Sequence, residues 1–150
     1  MAIDWGGSIV IAVSPERLWD LLMDPDADTD WRAPWTRSVR ALTQGPTAVG
    51  SRYQSRYNFY LVVWATETSE ITAMEPPRLL AWRTEGPRSS GEGRYVLEAL
   101  DGGTRFTLSA TYAGRGLSRI LDGLFGRHLR RDVARRQLAA LKAMAERASR

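Results

Sequence analysis

Few side chains in this chain could move a proton, bind a metal ion or attack a carbonyl. His128 is the only histidine and there is no cysteine, so a Ser–His couple has one available base. A thiol nucleophile, a zinc–thiolate site, an iron–sulfur cluster and a disulfide are excluded. Glu67 is the carboxylate best placed for acid–base work. It lies in the β-rich run Val62–Ala73, and if Ile71 faces the core, Ser69, Glu67, Ala65 and Val63 share its side while Thr68, Thr66 and Trp64 face out. A carboxyl group in an apolar cavity has a raised pKa and can act as an acid or base. A one-residue slip of register would send it to solvent. His128, at the margin of a helical apolar stripe between Leu124 and Leu129, is the second candidate; the competing reading is a surface histidine among arginines.

The carboxylates of Asp24-Pro25-Asp26-Ala27-Asp28-Thr29-Asp30 resemble the start of a calcium loop, but the rest of that loop is missing. Counted from Asp24, Thr29 stands where the loop's glycine belongs and Trp35 where its bidentate Glu belongs; counted from Asp26, those places hold Trp31 and Arg37. No metal is expected, and the segment reads as a solvated capping loop with Asp28 or Asp30 as the N-cap of a helical turn. Gly114-Arg115-Gly116 lacks the third glycine of a dinucleotide fingerprint, Lys142 is followed by Ala143 rather than Ser or Thr, and no GxSxG elbow occurs. No cofactor is expected.

The elements that position these residues follow from periodicity. Ser8–Val13 is a β-rich run leading straight into Ser14-Pro15-Glu16-Arg17, a helix start with Ser as N-cap and Pro at the first helical position. Leu18, Leu21 and Leu22 repeat at helical spacing until Asp24-Pro25, and Asp26–Pro34 is a polar linker with room for one more helical turn before Trp35. From Val39 to Tyr112 short β-rich runs alternate with Gly and Pro breaks: Val39–Leu42, Ser51–Tyr60, Val62–Ala73, Leu79–Thr84, Arg94–Leu100 and Thr104–Tyr112. Beyond Gly116 the period becomes 3.6, with Leu117, Leu121, Leu124, Phe125, Leu129, Val133, Leu138, Leu141 and Ala145 on one stripe of a helix from Leu117 to about Ala145.

This order predicts an α+β architecture: a curved antiparallel sheet of six or seven strands wrapped around a long C-terminal helix, with two short helices after the first strand, in one domain over residues 1–150. The sequence resembles the START-like helix-grip superfamily, in the branch of polyketide cyclase/dehydrase and lipid transport proteins. The resemblance is carried by Ser14-Pro15-Glu16-Arg17-Leu18-Trp19-Asp20-Leu21-Leu22, Asp24-Pro25, Trp31, Val49-Gly50-Ser51, Glu75-Pro76-Pro77-Arg78-Leu79, Trp82, Gly102-Gly103-Thr104-Arg105 and the terminal helix. It implies a mostly apolar cavity between sheet and helix for a hydrophobic small molecule, which some members carry and others cyclise, dehydrate or hydrolyse.

Strand parity proposes the lining. Tyr53, Tyr57 and Phe59 share one side of their strand, and Trp82, Tyr95 and Tyr112 complete a ring of aromatics, joined by Trp35 and by Leu121 and Phe125 of the helix. Binding or carriage of a polyketide- or lipid-like molecule is the favoured function. The alternative is a cofactor-free cyclase or dehydratase in which Glu67, His128 or a Tyr hydroxyl moves a proton.

Charge adds a third class. Residues 117–150 carry nine Arg and Lys against three Asp and Glu, whereas the first 30 residues carry seven acids against Arg17. Nucleic-acid or anionic-membrane binding through the basic helix is disfavoured, because its apolar face is committed to the core and its arginines read as a solvated face. Arg127, Arg130, Arg131 and Arg135 could instead meet the Asp24–Asp30 region of a second subunit in a homodimer. No run is long enough to span a membrane and the N-terminus lacks a signal-peptide pattern, so a cytoplasmic protein is expected.

Overall fold

The computed structural model describes residues 2–59 and 63–148. Seven antiparallel strands form one sheet: β1 Ala2–Ile11, β2 Thr36–Ala41, β3 Arg52–Phe59, β4 Val63–Glu75, β5 Leu79–Glu85, β6 Ser89–Leu100 and β7 Gly103–Gly114. Their spatial order is β1-β7-β6-β5-β4-β3-β2, so consecutive strands from β2 to β7 are hairpin neighbours and β1 closes the β7 side. The expected strand ends at Tyr60 and Val62 lie outside the described residues, as does the side chain of Phe59.

Two of the strands, β1 and β6, start well before their expected positions, for one reason. The expected strand at Ser8 in fact begins at Ala2 and includes Gly6 and Gly7, passing so close to β7 that a Cβ on Gly6 would lie 2.0 Å from the Leu108 carbonyl oxygen. Gly91 reads as the end of a break that opens at Gly86-Pro87, with the next strand at Arg94, yet Gly91 and Gly93 both sit inside β6, where a Cβ on Gly91 would lie 2.4 Å from the Thr111 carbonyl oxygen. These glycines mark close approach of backbones, not chain reversal.

Two short helices, α1 Pro15–Leu22 and α2 Pro25–Trp31, cross from β1 to β2. Ser14 Oγ accepts from the Arg17 amide at 3.3 Å and Pro15 occupies the first turn of α1. The N-cap of α2 is Asp24, whose carboxylate accepts from the Asp26 amide at 3.0 Å, rather than Asp28 or Asp30. The helix begins where proline can enter its first turn, which places Asp28 inside it, paired with Arg32 at 3.0 Å. Leu18, Trp19, Trp31, Leu97, Phe106, Leu138 and Leu141 form the core between these helices, the sheet and the C-terminal helix.

That last helical run has three parts: α3 Leu117–Leu121, a π turn Asp122–Gly126, and α4 Arg127–Ala148. The π turn takes one residue more than an α turn, which rotates the preceding residues by about 100° relative to α4. The predicted stripe holds at Val133, Leu138, Leu141 and Ala145, all buried, and fails upstream, where Ser118, Asp122 and Gly126 are buried instead. Leu117, Leu124 and Phe125 are turned out to solvent. Among the described residues no helix is long and apolar enough to cross a membrane.

Candidate ligand-binding cavity

Between the sheet and the helices lie two adjoining, half-open lobes of about 110 and 120 Å³. The first lies against α4, with Trp5, Trp31, Trp35, Tyr57, Tyr112 and Val133 in its wall. The second lies under α1 and α2, bounded by Leu22, Met23, Val39, Tyr53, Ile71 and Leu80. Arg32, Glu67, Trp82, Thr84 and Tyr95 face both lobes and form the partition between them.

The partition is a product of strand register. Glu67 is paired with Ser55 on β3, and on β4 Ala65 and Ile71 are buried on its side while Trp64 and Thr66 are exposed, so the carboxyl points inward. On β5, Leu80, Trp82 and Thr84 alternate inward, and the Trp82 ring lies over Gly93 of β6, where a Cβ would be 2.6 Å from Cζ2. Trp82 meets Tyr95 edge-on, ring centroids 4.6 Å apart, and Tyr95 contacts Phe106 at 5.1 Å.

Burial governs the electrostatics here. It raises the Glu67 carboxyl above its ordinary value of 4.5, against the opposing pull of Arg32 and Arg130. For Arg32, burial pulls the guanidinium down, and the charge and hydrogen bond of the Asp28 carboxylate lead the contributions that more than reverse it. Burial also raises the phenols of Tyr57, Tyr95 and Tyr112, so all three are neutral donors. Tyr57 and Ser89 hydroxyls are hydrogen-bonded at 2.9 Å, and the Arg130 guanidinium stacks 3.8 Å from the Tyr112 ring centroid. Around the first lobe the indole N–H groups of Trp31 and Trp35 and the amide oxygen of Asn58 are buried without a hydrogen-bond partner among the described residues.

Of the side chains singled out from the sequence, Trp35, Tyr53, Tyr57, Glu67, Trp82, Tyr95 and Tyr112 all border one lobe or both. Leu121 packs against Tyr57 and Tyr112 behind the wall without lining a lobe. Phe125 does not reach the cavity, because the π turn directs it to solvent at 59% exposure. His128 is exposed on the same outer side of the helix and is removed as an acid–base candidate by position. Arg32, Arg130 and Trp5 were not anticipated. A signal existed for the first two: Asp28 and Arg32 have ion-pair spacing beside the apolar Trp31, and Arg130 is one helical turn from Ala134 on the buried face.

The chain belongs to the polyketide cyclase/dehydrase and lipid transport family, whose model matches residues 6–146. No curated protein sequence matches it. Among solved structures it is similar to the Zhui aromatase/cyclase from Streptomyces sp. R1128, with a TM-score of 0.78 and 19% identity over 100% of this chain and 97% of that one. A protein from Thermus thermophilus is similar at a TM-score of 0.77 and 18% identity, over 99% of this chain and 100% of the other. Ara h 8.0201 is similar at a TM-score of 0.65 and 14% identity, over 97% and 98%. At these identities the likeness establishes the helix-grip fold.

Proposed function

We propose that the chain binds a hydrophobic, polyketide- or lipid-like small molecule in the two-lobed cavity, as a carrier or binding protein. The observation that carries this reading is a cavity walled mostly by aromatic side chains, with the polar atoms of Trp31, Trp35 and Asn58 buried and unpartnered around one lobe among the described residues. Buried polar groups in a folded protein are ordinarily satisfied, and a ligand bearing carbonyl and hydroxyl groups supplies the matching acceptors and donor. Pockets for drug-sized ligands measure about 300–1,000 Å³, more than both lobes together, so a multi-ring ligand needs partition side chains such as Trp82 to move aside. Its binding therefore changes Trp emission. Quenching that saturates at micromolar ligand supports the reading; polyketides, sterols and fatty acids that all leave the emission unchanged contradict it.

Glu67 favours a second reading. A carboxyl group whose pKa burial raises, beside the cationic Arg32, is placed to donate to a ligand carbonyl as that oxygen gains negative charge, in a cofactor-free cyclisation or dehydration. Glu67→Gln keeps shape and hydrogen bonding while removing the titrating proton. An enzyme loses about 10²–10⁴-fold in turnover with affinity retained within a few-fold; a carrier shows no turnover in either form.

A further inference from the structure

Eight large hydrophobic side chains are exposed among the described residues, and four of them, Leu117, Ile120, Leu124 and Phe125, fall within nine positions, at 57%, 63%, 70% and 59% exposure. They share the outer side of α3 and the π turn, opposite the buried Ser118, Asp122 and Gly126. The cationic groups around them are of one sign. Arg119, Arg127 and Arg131 are exposed and, among the described residues, form no ion pair. Arg115 is paired with Glu85 at 3.1 Å, Arg130 is turned inward over Tyr112, and the single acid of residues 115–131, Asp122, is buried. Arg127 and Arg131 follow Leu124 and Phe125 along the chain on the exposed side of the run.

We propose that this outer face of residues 117–131 docks on an anionic lipid surface, with Leu117, Ile120, Leu124 and Phe125 entering the headgroup–acyl boundary and Arg119, Arg127 and Arg131 meeting lipid phosphates. A short helix with bulky apolar side chains beside arginines has the make-up of an interfacial anchor that lies in the membrane plane without spanning it. A second copy of the chain fits less well, because a two-fold interface through this face brings the same arginines against one another. A nucleic-acid backbone would engage the arginines and leave the apolar side chains in water. The proposal is independent of what the cavity holds, since none of the seven side chains that carry it borders either lobe.

The test is co-sedimentation of the full chain with large unilamellar vesicles of phosphatidylcholine alone or with about 30% phosphatidylserine. Association is expected with the serine-containing vesicles, weakened by about 0.5 M salt. Leu124→Ser with Phe125→Ser removes two exposed side chains and should weaken association at least about tenfold at unchanged melting temperature. Arg119→Gln with Arg127→Gln and Arg131→Gln should weaken it about a hundredfold while leaving the apolar side chains in place. No association of the wild type, or association of both variants equal to that of the wild type, overturns the proposal. So does a concentration-dependent dimer, or binding of duplex DNA, that Phe125→Ser abolishes while vesicle association is absent.

Discussion

Because burial raises the Glu67 carboxyl above 4.5, the folded chain holds that proton to higher pH than the unfolded chain does. Stability therefore falls as pH rises from the unfolded value through the folded one, and above that window the ionised carboxylate carries its full penalty. Glu67→Gln removes the penalty, so its melting temperature relative to wild type should be highest at about pH 8 and decline toward about pH 4. A difference constant over that range would place the carboxyl in water. Gly93 offers a steric counterpart. Gly93→Ala drives a methyl into the Trp82 ring and should cost about 1–3 kcal/mol with a changed near-UV Trp signal, checked by chemical denaturation. The inward side of β4 was legible from the period of two, because Ala65, Glu67, Ser69 and Ile71 alternate with outward residues. Arg32 and Arg130 carried only the weak signals of ion-pair spacing and of a position near the buried face, since an arginine in or beside a helix reads as solvated until the packing of its neighbours turns it inward.

Among the elements, the C-terminal helical run departs furthest from its periodicity. Nothing in the residues Asp122–Gly126 distinguishes a π turn from an α turn, so the stripe continued on paper through Leu124 and Phe125 while the chain turned Asp122 and Gly126 under instead. The energetic consequence is an asymmetry along one stripe. Leu141→Ala, at a fully buried site, should cost about 2–5 kcal/mol, whereas Leu124→Ala should stay within about 0.5 kcal/mol of wild type in urea unfolding. Equal costs would restore the uninterrupted stripe. The glycines of β1 and β6 failed for a related reason: composition registers the missing side chain, and only the paired backbone shows whether it makes a turn or a close approach.

At the scale of the whole molecule, the order of strands and helices carried the architecture, because a long amphipathic helix after six antiparallel strands must cover the sheet's apolar face. What that packing leaves between sheet and helices is the two-lobed space with Glu67 at its partition, and the central claim is that a hydrophobic small molecule fills it. A native mass spectrum of the chain purified from its own source tests this most directly. The expected spectrum holds a population carrying one additional small molecule, released on collisional activation and restored by incubation with a polyketide or lipid. A bare chain mass both as purified and after incubation with polyketides, sterols and fatty acids would contradict it.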